Sequence, residues 1–515
     1  MKKERFLVHA VILAVAGFVS RALGLLYGIP LYHIIGEEGN GYYGTAYDIY
    51  NMLLLITTYS MPMAISKVMS VYVAEKDYVN CKRLFRTCLF YVFIVGGAGA
   101  LVTYFFADKL VVAPAVLSLK VMAPTIFFSG FLSVLRGYTQ AHNTMIPTAI
   151  SQIVEQIFNA IFSIALALVF MKYSSSYLPG PAYGAMGSAL GTLIGVMVAL
   201  IFLVANIMLT RKTRVKLYED APPKPKESYF TLFRVIFIYA FPIMLTSFIY
   251  NVSTTIDMKI FWGWAQARNY SQESAARIFG IYSRQYMVLI NVPITIASAI
   301  SSAMMPKLSV EYASHEIEDV NVRVSRAVRG VVLFAVPSVF GLMILAKPIM
   351  QLFFTGTSDV ASEALVMGSV SVLFFSVATV LNSALQAMGK SFIAMKNVAK
   401  ALIVHILYVV GLLKVSGSVM GILVTGSVVY SMAMCFYNIN SMEKLFDTKL
   451  RVISVIGKPL VASLLMSVIA VICYSILTGI GVSLFFAVVI TIVVAAAVYF
   501  GMVYTRDDYM GKRIF

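Results

Sequence analysis

The sequence predicts an all-α polytopic membrane protein of about fourteen transmembrane helices, and three observations carry that prediction. Hydrophobic residues fill 60% of the 515 positions and charged residues only 12%, where soluble chains run near one quarter charged. Mostly apolar runs of about 20 residues, the length that crosses a bilayer core, recur along the whole chain. The basic residues are concentrated in alternate segments between those runs. A soluble enzyme is therefore excluded. The net charge of +17, which in a soluble protein would suggest nucleic acid, reads instead as the basic inner loops of a membrane protein.

In order, the expected spans are 6–32, 43–73, 86–107, 113–135, 147–171, 184–209, 231–262, 275–304, 330–346, 361–385, 391–413, 418–440, 452–477 and 480–504. The opening Met-Lys-Lys-Glu-Arg imitates a secretory signal, yet its apolar run continues to about Pro30 without a small-x-small site, so an uncleaved first span is expected. If the N-terminus is cytoplasmic and spans alternate, inside segments hold 29 of the 40 Lys and Arg and outside segments seven. A miscounted helix would scramble that bias from its position onward, so both termini are expected in the cytoplasm.

The longest polar stretch follows span six and contains Ala-Pro-Pro-Lys-Pro-Lys. Prolines there prevent one continuous helix. The expected plan is a lobe at 1–210 (spans 1–6), a cytoplasmic linker at 211–229, and a second lobe at 230–440 (spans 7–12). Spans 13–14 and a tail follow at 441–515. Six is even, so two six-helix lobes would be related by parallel pseudosymmetry. Phe128, Val134, Leu135, Gln140 and Ala141 match Phe374, Val380, Leu381, Gln386 and Ala387 at a constant offset.

Ionisable groups at membrane depth cost about 2.5–3.5 kcal/mol, so they mark a cavity or a partner. Here they are Arg21, Asp48, Lys67, Glu155, Asp257, Lys259 and Arg284. Arg21 shares one face of span 1 with Gly17, Gly24 and Gly28. Either the glycines pack against a neighbour while the arginine snorkels, or they make room beside a cationic cavity wall. Span 8 aligns Arg284, Val288, Asn291, Thr295, Ser298 and Ser302. Small-residue packing explains the serines but not the arginine, so cavity lining is preferred. Span 2 places Asp48, Asn51, Thr58 and Pro62 on one face, with Lys67 near its inner end, either snorkelling or holding a ligand. Span 5 carries Gln152, Glu155, Asn159 and Ser163; Glu155 is a proton or substrate site, or the partner of an arginine such as Arg136. Interfacial exposure is expected for Asp257 and Lys259, although Thr246, Tyr250, Ser253 and Asp257 form a stripe that a cation could use. Arginines on cavity walls suit a phosphate or diphosphate, which a guanidinium grips bidentately.

Other patterns carry no chemistry. Met388-Gly-Lys-Ser lacks the upstream glycine of a phosphate loop, having Ala384. Gly187, Gly191 and Gly195 form a helix-packing row in span 6. The four cysteines, Cys81, Cys88, Cys435 and Cys473, show no metal spacing. No cofactor and no catalytic arrangement is expected. With no nucleotide-binding signature, energy would come from Na+, H+ or the membrane potential.

Four segments carry a family resemblance: Ser20-Arg-Ala-Leu-Gly, Pro62-Met-Ala-Ile-Ser-Lys, Val134-Leu-Arg-Gly-Tyr-Thr-Gln-Ala and Pro147-Thr-Ala-Ile-Ser-Gln-Ile-Val-Glu-Gln. The chain resembles the stage V sporulation protein B and MurJ-like exporters of the multidrug/oligosaccharidyl-lipid/polysaccharide exporter superfamily. The resemblance implies a two-lobed, fourteen-helix flippase in the bacterial cytoplasmic membrane. It implies as substrate a lipid-linked saccharide with a diphosphate head group, lipid II in MurJ-type members. It also implies a cationic cavity, a tail groove on the last two helices, and no enzymatic activity. Arg21 and Arg284 take the places of the arginines of spans 1 and 8. The resemblance also brings departures: this chain has Tyr27 where Gram-negative MurJ proteins have a second arginine, and Leu53 to Leu55 where they have an arginine pair. The expected function is alternating-access flipping of lipid II, with Arg21, Arg284, Lys67, Asn291 and Glu155 on the substrate and Asp257 or Glu155 as a cation or proton site. Alternatives are capsule or O-antigen-type repeats and a cation-coupled multidrug antiporter. Membrane lipids surround an expected monomer.

Overall fold

The computed structural model describes residues 2–55, 61–142, 145–173, 178–210, 225–413, 418–446 and 452–503. The side chains at 2–15, 18, 21, 22, 25, 63, 239, 242, 243, 246, 250, 303, 306 and 452–454 fall outside the described set. So do most of the expected linker, up to 224, and the tail from 504. The described residues form helices and short connections, with no strand among them. In hydrocarbon every backbone N–H and C=O must be satisfied within the chain, and a helix does so locally.

The helices of the first part are α1 (Lys2–Leu54), α2 (Met61–Ala74), α3 (Tyr78–Phe105), α4 (Ala107–Leu110), α5 (Ala113–Ala141), α6 (Ile146–Phe170), α7 (Gly180–Leu209), α8 (Tyr229–Ala267) and α9 (Gln272–Gly280). A π-helical turn, Ile281–Tyr286, leads into α10 (Met287–Ala313). Next come α11 (Ile317–Ile344), α12 (Ala346–Phe353), α13 (Asp359–Gly368), α14 (Ser371–Ala387), α15 (Ser391–Leu413), α16 (Val419–Phe446), α17 (Val452–Gly479) and α18 (Leu484–Val503). Ten described helices are long and apolar enough to cross a membrane, eleven if the pair α13–α14, bent by 46°, is one span. The other three expected spans, 6–32, 43–73 and 231–262, fall on α1, α1–α2 and α8, which include residues or side chains outside the described set. The protein is an all-α, multi-pass membrane protein.

Local sequence explains where the helices begin and break. α5, α6 and α7 each carry a proline in the first helical turn, where its missing N–H has no partner to lose. Asp77 caps α3 by accepting from the Asn80 amide, and Ser228 caps α8 by accepting from that of Phe230. α1 is interrupted at Gly36, whose φ of 67° suits glycine. Aromatic and aliphatic side chains such as Phe93, Phe105, Ile201 and Phe436 stand exposed along the helices, as a lipid-facing surface requires.

The chain divides into two compact units, Met1–Gly280 and Ile281–Phe515. In the first, Gly187, Gly191 and Gly195 bring α7 against α6 so closely that a Cβ on any of them would collide with the backbone of Leu166, Ser163 or Glu155. This is the packing role expected for that row. In the second, α17 and α18 form a cluster from Ala462, Met466, Ala470, Ala495 and Tyr499, with Phe340 of α11 packed on it. Tyr499 Oη donates to Leu333 O at 2.9 Å.

Candidate functional site

In the first unit, the glycines that share the Arg21 face of span 1 have room beside them. Among the described residues, a Cβ built on Gly17 or Gly28 would meet nothing within 4 Å, and one on Gly24 would meet only Gln156 Oε1, at 3.9 Å. A packing seam would give each glycine close backbone neighbours, as it does for Gly191. The side chain of Arg21 itself lies outside the described set.

Glu155 is held in a polar brace between α5 and α6. Arg136 Nη2 donates to Glu155 Oε2 at 2.7 Å and Arg136 Nε to Ser151 Oγ at 3.0 Å. Thr139 and Thr148 hydroxyls meet at 2.9 Å beside it. Of the readings open for Glu155, the structure displays the Arg136 partnership. Further along α6 the polar stripe is occupied by helix packing. Ser163 Oγ lies 2.9 Å from both Asn159 Oδ1 and Ser188 O, either of which can take its proton, and Thr192 Oγ1 donates to Asn159 Oδ1 at 3.3 Å.

The expected interfacial exposure of Asp257 is corrected: it is 2% exposed. α8 packs on α1 at this level. Trp262 Nε1 donates to Thr45 Oγ1 at 3.0 Å and Thr255 Oγ1 to Asp48 O at 3.4 Å, on the face of α8 turned away from Asp257. Lys259, two residues on, is exposed as expected and donates to Leu110 O. Lys67 is exposed on α2. Thr58, and the side chains of Thr246 and Tyr250, lie outside the described set.

Arg284 sits in the π-helical turn between α9 and α10, inside span 8. Wide π turns are rare and frequently occur at functional sites. Four of its six residues, Ile281 among them, point inward. Tyr282, Gln285 and Tyr286 are buried; Gln285 Oε1 accepts from Thr357 Oγ1 at 2.8 Å, and Tyr286 Oη meets Ser427 Oγ at 2.8 Å. Gly368, in the bend between α13 and α14, is where the Tyr286 ring lies; a Cβ there would overlap it. Ser283 and Arg284 are the partly exposed members of the turn.

The stripe below Arg284 satisfies itself. Asn291 Nδ2 donates to Met287 O at 2.7 Å, Thr295 Oγ1 to Val292 O at 2.7 Å, Ser298 Oγ to Ile294 O at 3.3 Å and Ser302 Oγ to Ser298 O at 2.8 Å. Each bond closes within α10, and Asn291 and Ser302 are exposed. Asn291 Oδ1 and the hydroxyl lone pairs can therefore accept from a polar ligand while the helix keeps its own bonds.

Among the described residues, no group of three or more His, Cys, Asp or Glu could hold a metal ion. Cys81, Cys88, Cys435 and Cys473 are free thiols. The Gly-Lys-Ser at 389–391 is a helix end: Gly389 has φ 73° and Lys390 N donates to Leu385 O at 2.8 Å, a C-terminal capping turn.

A family model described as polysaccharide biosynthesis protein matches residues 7–311. The chain is 23% identical over 419 residues to the lipid II flippase MurJ of Bacillus subtilis (strain 168), covering 78% of this chain and 76% of that protein. It is 26% identical over 406 residues to the stage V sporulation protein B of the same organism, covering 77% and 76%. Among solved structures, the inward closed conformation of a lipid II flippase MurJ matches with a TM-score of 0.67 at 17% identity, covering 96% of this chain and 98% of that one. An inward-facing multidrug resistance MATE family transporter of the MOP superfamily matches with a TM-score of 0.65 at 14% identity, covering 83% and 94%. At these identities the structures establish a shared fold.

Proposed function

Because the chain belongs to the polysaccharide biosynthesis protein family, we propose that it is a flippase moving an undecaprenyl-diphosphate-linked saccharide across the cytoplasmic membrane, with lipid II as the first candidate. The family match over residues 7–311 is the observation that carries this reading. The relatives named above are a flippase and a sporulation protein, and the fold is shared with transporters.

In this reading Arg21 and Arg284, with Lys67, bind the diphosphate, because a guanidinium pairs two donors with two phosphate oxygens. The open glycine face beside Arg21 leaves room for the head group, and the acceptors of Asn291 and its neighbours suit a saccharide. α17 and α18, with Leu464, Val468 and Phe486 exposed, are suited to an isoprenoid tail. Alternating access needs an energy input, for which Na+, H+ or the membrane potential are the options; the buried Asp257 suits a cation. Glu155 would serve there, or on the substrate, only after leaving Arg136. Both termini are cytoplasmic, and the chain acts as a monomer without a cofactor and without enzymatic chemistry.

The experiment is rescue. In a bacterium depleted of its lipid II flippase, this chain restores growth, and replacing Arg21 and Arg284 with Ala removes that rescue while the protein stays in the membrane. Failure to rescue at good expression would reject lipid II and move the reading to other lipid-linked repeats. Drug efflux dependent on Asp257 would move it to a cation-coupled antiporter, which the MATE-like fold also accommodates.

A further inference from the structure

The connection between spans 6 and 7 enters the described residues at Pro225 and becomes α8 at Tyr229. A polar, proline-rich connection of this kind is expected to be solvated and loosely held. Its last residues are instead gripped by the turn between α2 and α3. Asn80, 1% exposed, behaves toward them as a peptide group would. Its Nδ2 donates to Pro225 O at 2.9 Å and its Oδ1 accepts from Glu227 N at 2.9 Å. Asp77, itself buried, fixes that carboxamide by accepting from Nδ2 at 2.8 Å. Arg83 Nε donates to Glu227 O at 3.0 Å, and the guanidinium lies 4.0 Å from the centroid of the Tyr229 ring. Tyr72 Oη donates to Glu227 Oε2 at 2.9 Å.

A buried asparagine needs hydrogen-bond partners for its amide. Here Asp77 supplies one and the passing chain supplies the other two, so this end of α3 holds residues 225–229. The other end of α8 is fastened too, by Trp262 on Thr45 and by Lys259 on Leu110. The first compact unit accordingly runs past the linker and ends at Gly280.

We propose that residues 225–229 are a strap that makes span 7 one rigid body with the inner ends of spans 2 and 3. Span 7 then travels with spans 1–6 during transport, and the linker does not act as the hinge. The strap stands on the bonds above; its consequence for movement rests on the flippase reading.

The test uses the full-length protein in lipid nanodiscs. Hydrogen exchange of the Glu227 amide is slow in the parent chain, and Asn80→Ala accelerates it at least about tenfold, or about 1.4 kcal/mol of protection, while peptides of α7 are unchanged. Should Asn80→Ala fail to fold, Tyr72→Phe combined with Arg83→Gln gives the same acceleration. A parent Glu227 amide that exchanges as fast as an unstructured peptide overturns the strap. For the movement, Tyr72→Cys and Glu227→Cys are joined by a short bis-maleimide in a chain whose four cysteines are Ala. Reconstituted transport of an undecaprenyl-diphosphate-linked disaccharide then stays within about twofold of the unjoined chain. Loss beyond about tenfold means the strap must open in each cycle, which overturns the rigid-body proposal. If the unjoined chain moves no such lipid, the flippase reading fails, and the exchange result still decides the strap.

Discussion

Gly187, Gly191 and Gly195 lie on one face of span 6, and Gly17, Gly24 and Gly28 lie on one face of span 1, yet the two rows have opposite surroundings. The first is pressed onto the α6 backbone; the second borders open space. Both rows obey the small-residue spacing that lets helices approach closely. Spacing alone therefore does not separate a glycine that admits a neighbouring helix from one that leaves a wall bare. The difference is chemical as well. The packed row runs beside Ser163 and Asn159, whose polar atoms are bonded to one another and to α7, whereas the open row carries an arginine.

The largest effect is expected at Gly191→Leu, where overpacking against fixed backbone exceeds the usual ~1–3 kcal/mol and folded protein is lost from the membrane. Gly24→Leu should leave the protein level within about twofold while lowering rescue by about tenfold, since it fills space and does not strike backbone. Equal loss of protein in both variants would erase the distinction between the rows.

Next in size are the arginines. Arg21→Ala and Arg284→Ala should each weaken binding of a diphosphate lipid by about 1.5–3 kcal/mol, the range of charge-assisted hydrogen bonds, with unchanged thermal stability. Lys at either position should restore part of it, lacking the bidentate fork. Arg136→Ala should do the reverse. It strips Glu155 of its partner in a site where the two side chains are 15% and 21% exposed, costing about 1–3 kcal/mol of stability. Affinity for the lipid should stay as it was. A drop in affinity without a drop in melting temperature would move Arg136 and Glu155 from the packed framework to the substrate.

The smallest effect concerns pH. At the turn after α10, Arg323 donates to both carboxylate oxygens of Glu311. Those hydrogen bonds hold the Glu311 carboxyl below its ordinary value. The stabilisation is therefore complete above the unfolded value of about 4.3 and is lost as pH falls through the lower folded value. Melting followed below about pH 4.3 should show the parent chain losing more stability than Glu311→Gln. Parallel curves would remove the pair from the account.

The span pattern was legible in the sequence because hydrocarbon imposes one length and one composition on every crossing helix. The helices Ile146–Phe170, Gly180–Leu209, Ser391–Leu413 and Val419–Phe446 begin within a few residues of the expected spans. Arg284 could be singled out, but its π turn could not, since no residue pattern in Ile281–Tyr286 marks one. The burial of Asp257 was not legible, because the position of a carboxylate along a helix says nothing about what packs beside it. Glu155 showed the limit most clearly: Arg136 was a nameable partner, and geometry was needed to join them. The strap left no sequence signal, because Asn80 and Glu227 are separated in the chain by the rest of α3 and by α4 to α7.

Direct binding of an undecaprenyl-diphosphate-linked disaccharide to the purified protein, titrated in nanodiscs of neutral lipid, tests the central claim. Saturable binding is expected, which undecaprenyl monophosphate reproduces only weakly and which Arg21→Ala with Arg284→Ala reduces by at least about a hundredfold, or about 2.7 kcal/mol. Binding of equal strength in the double variant would contradict it.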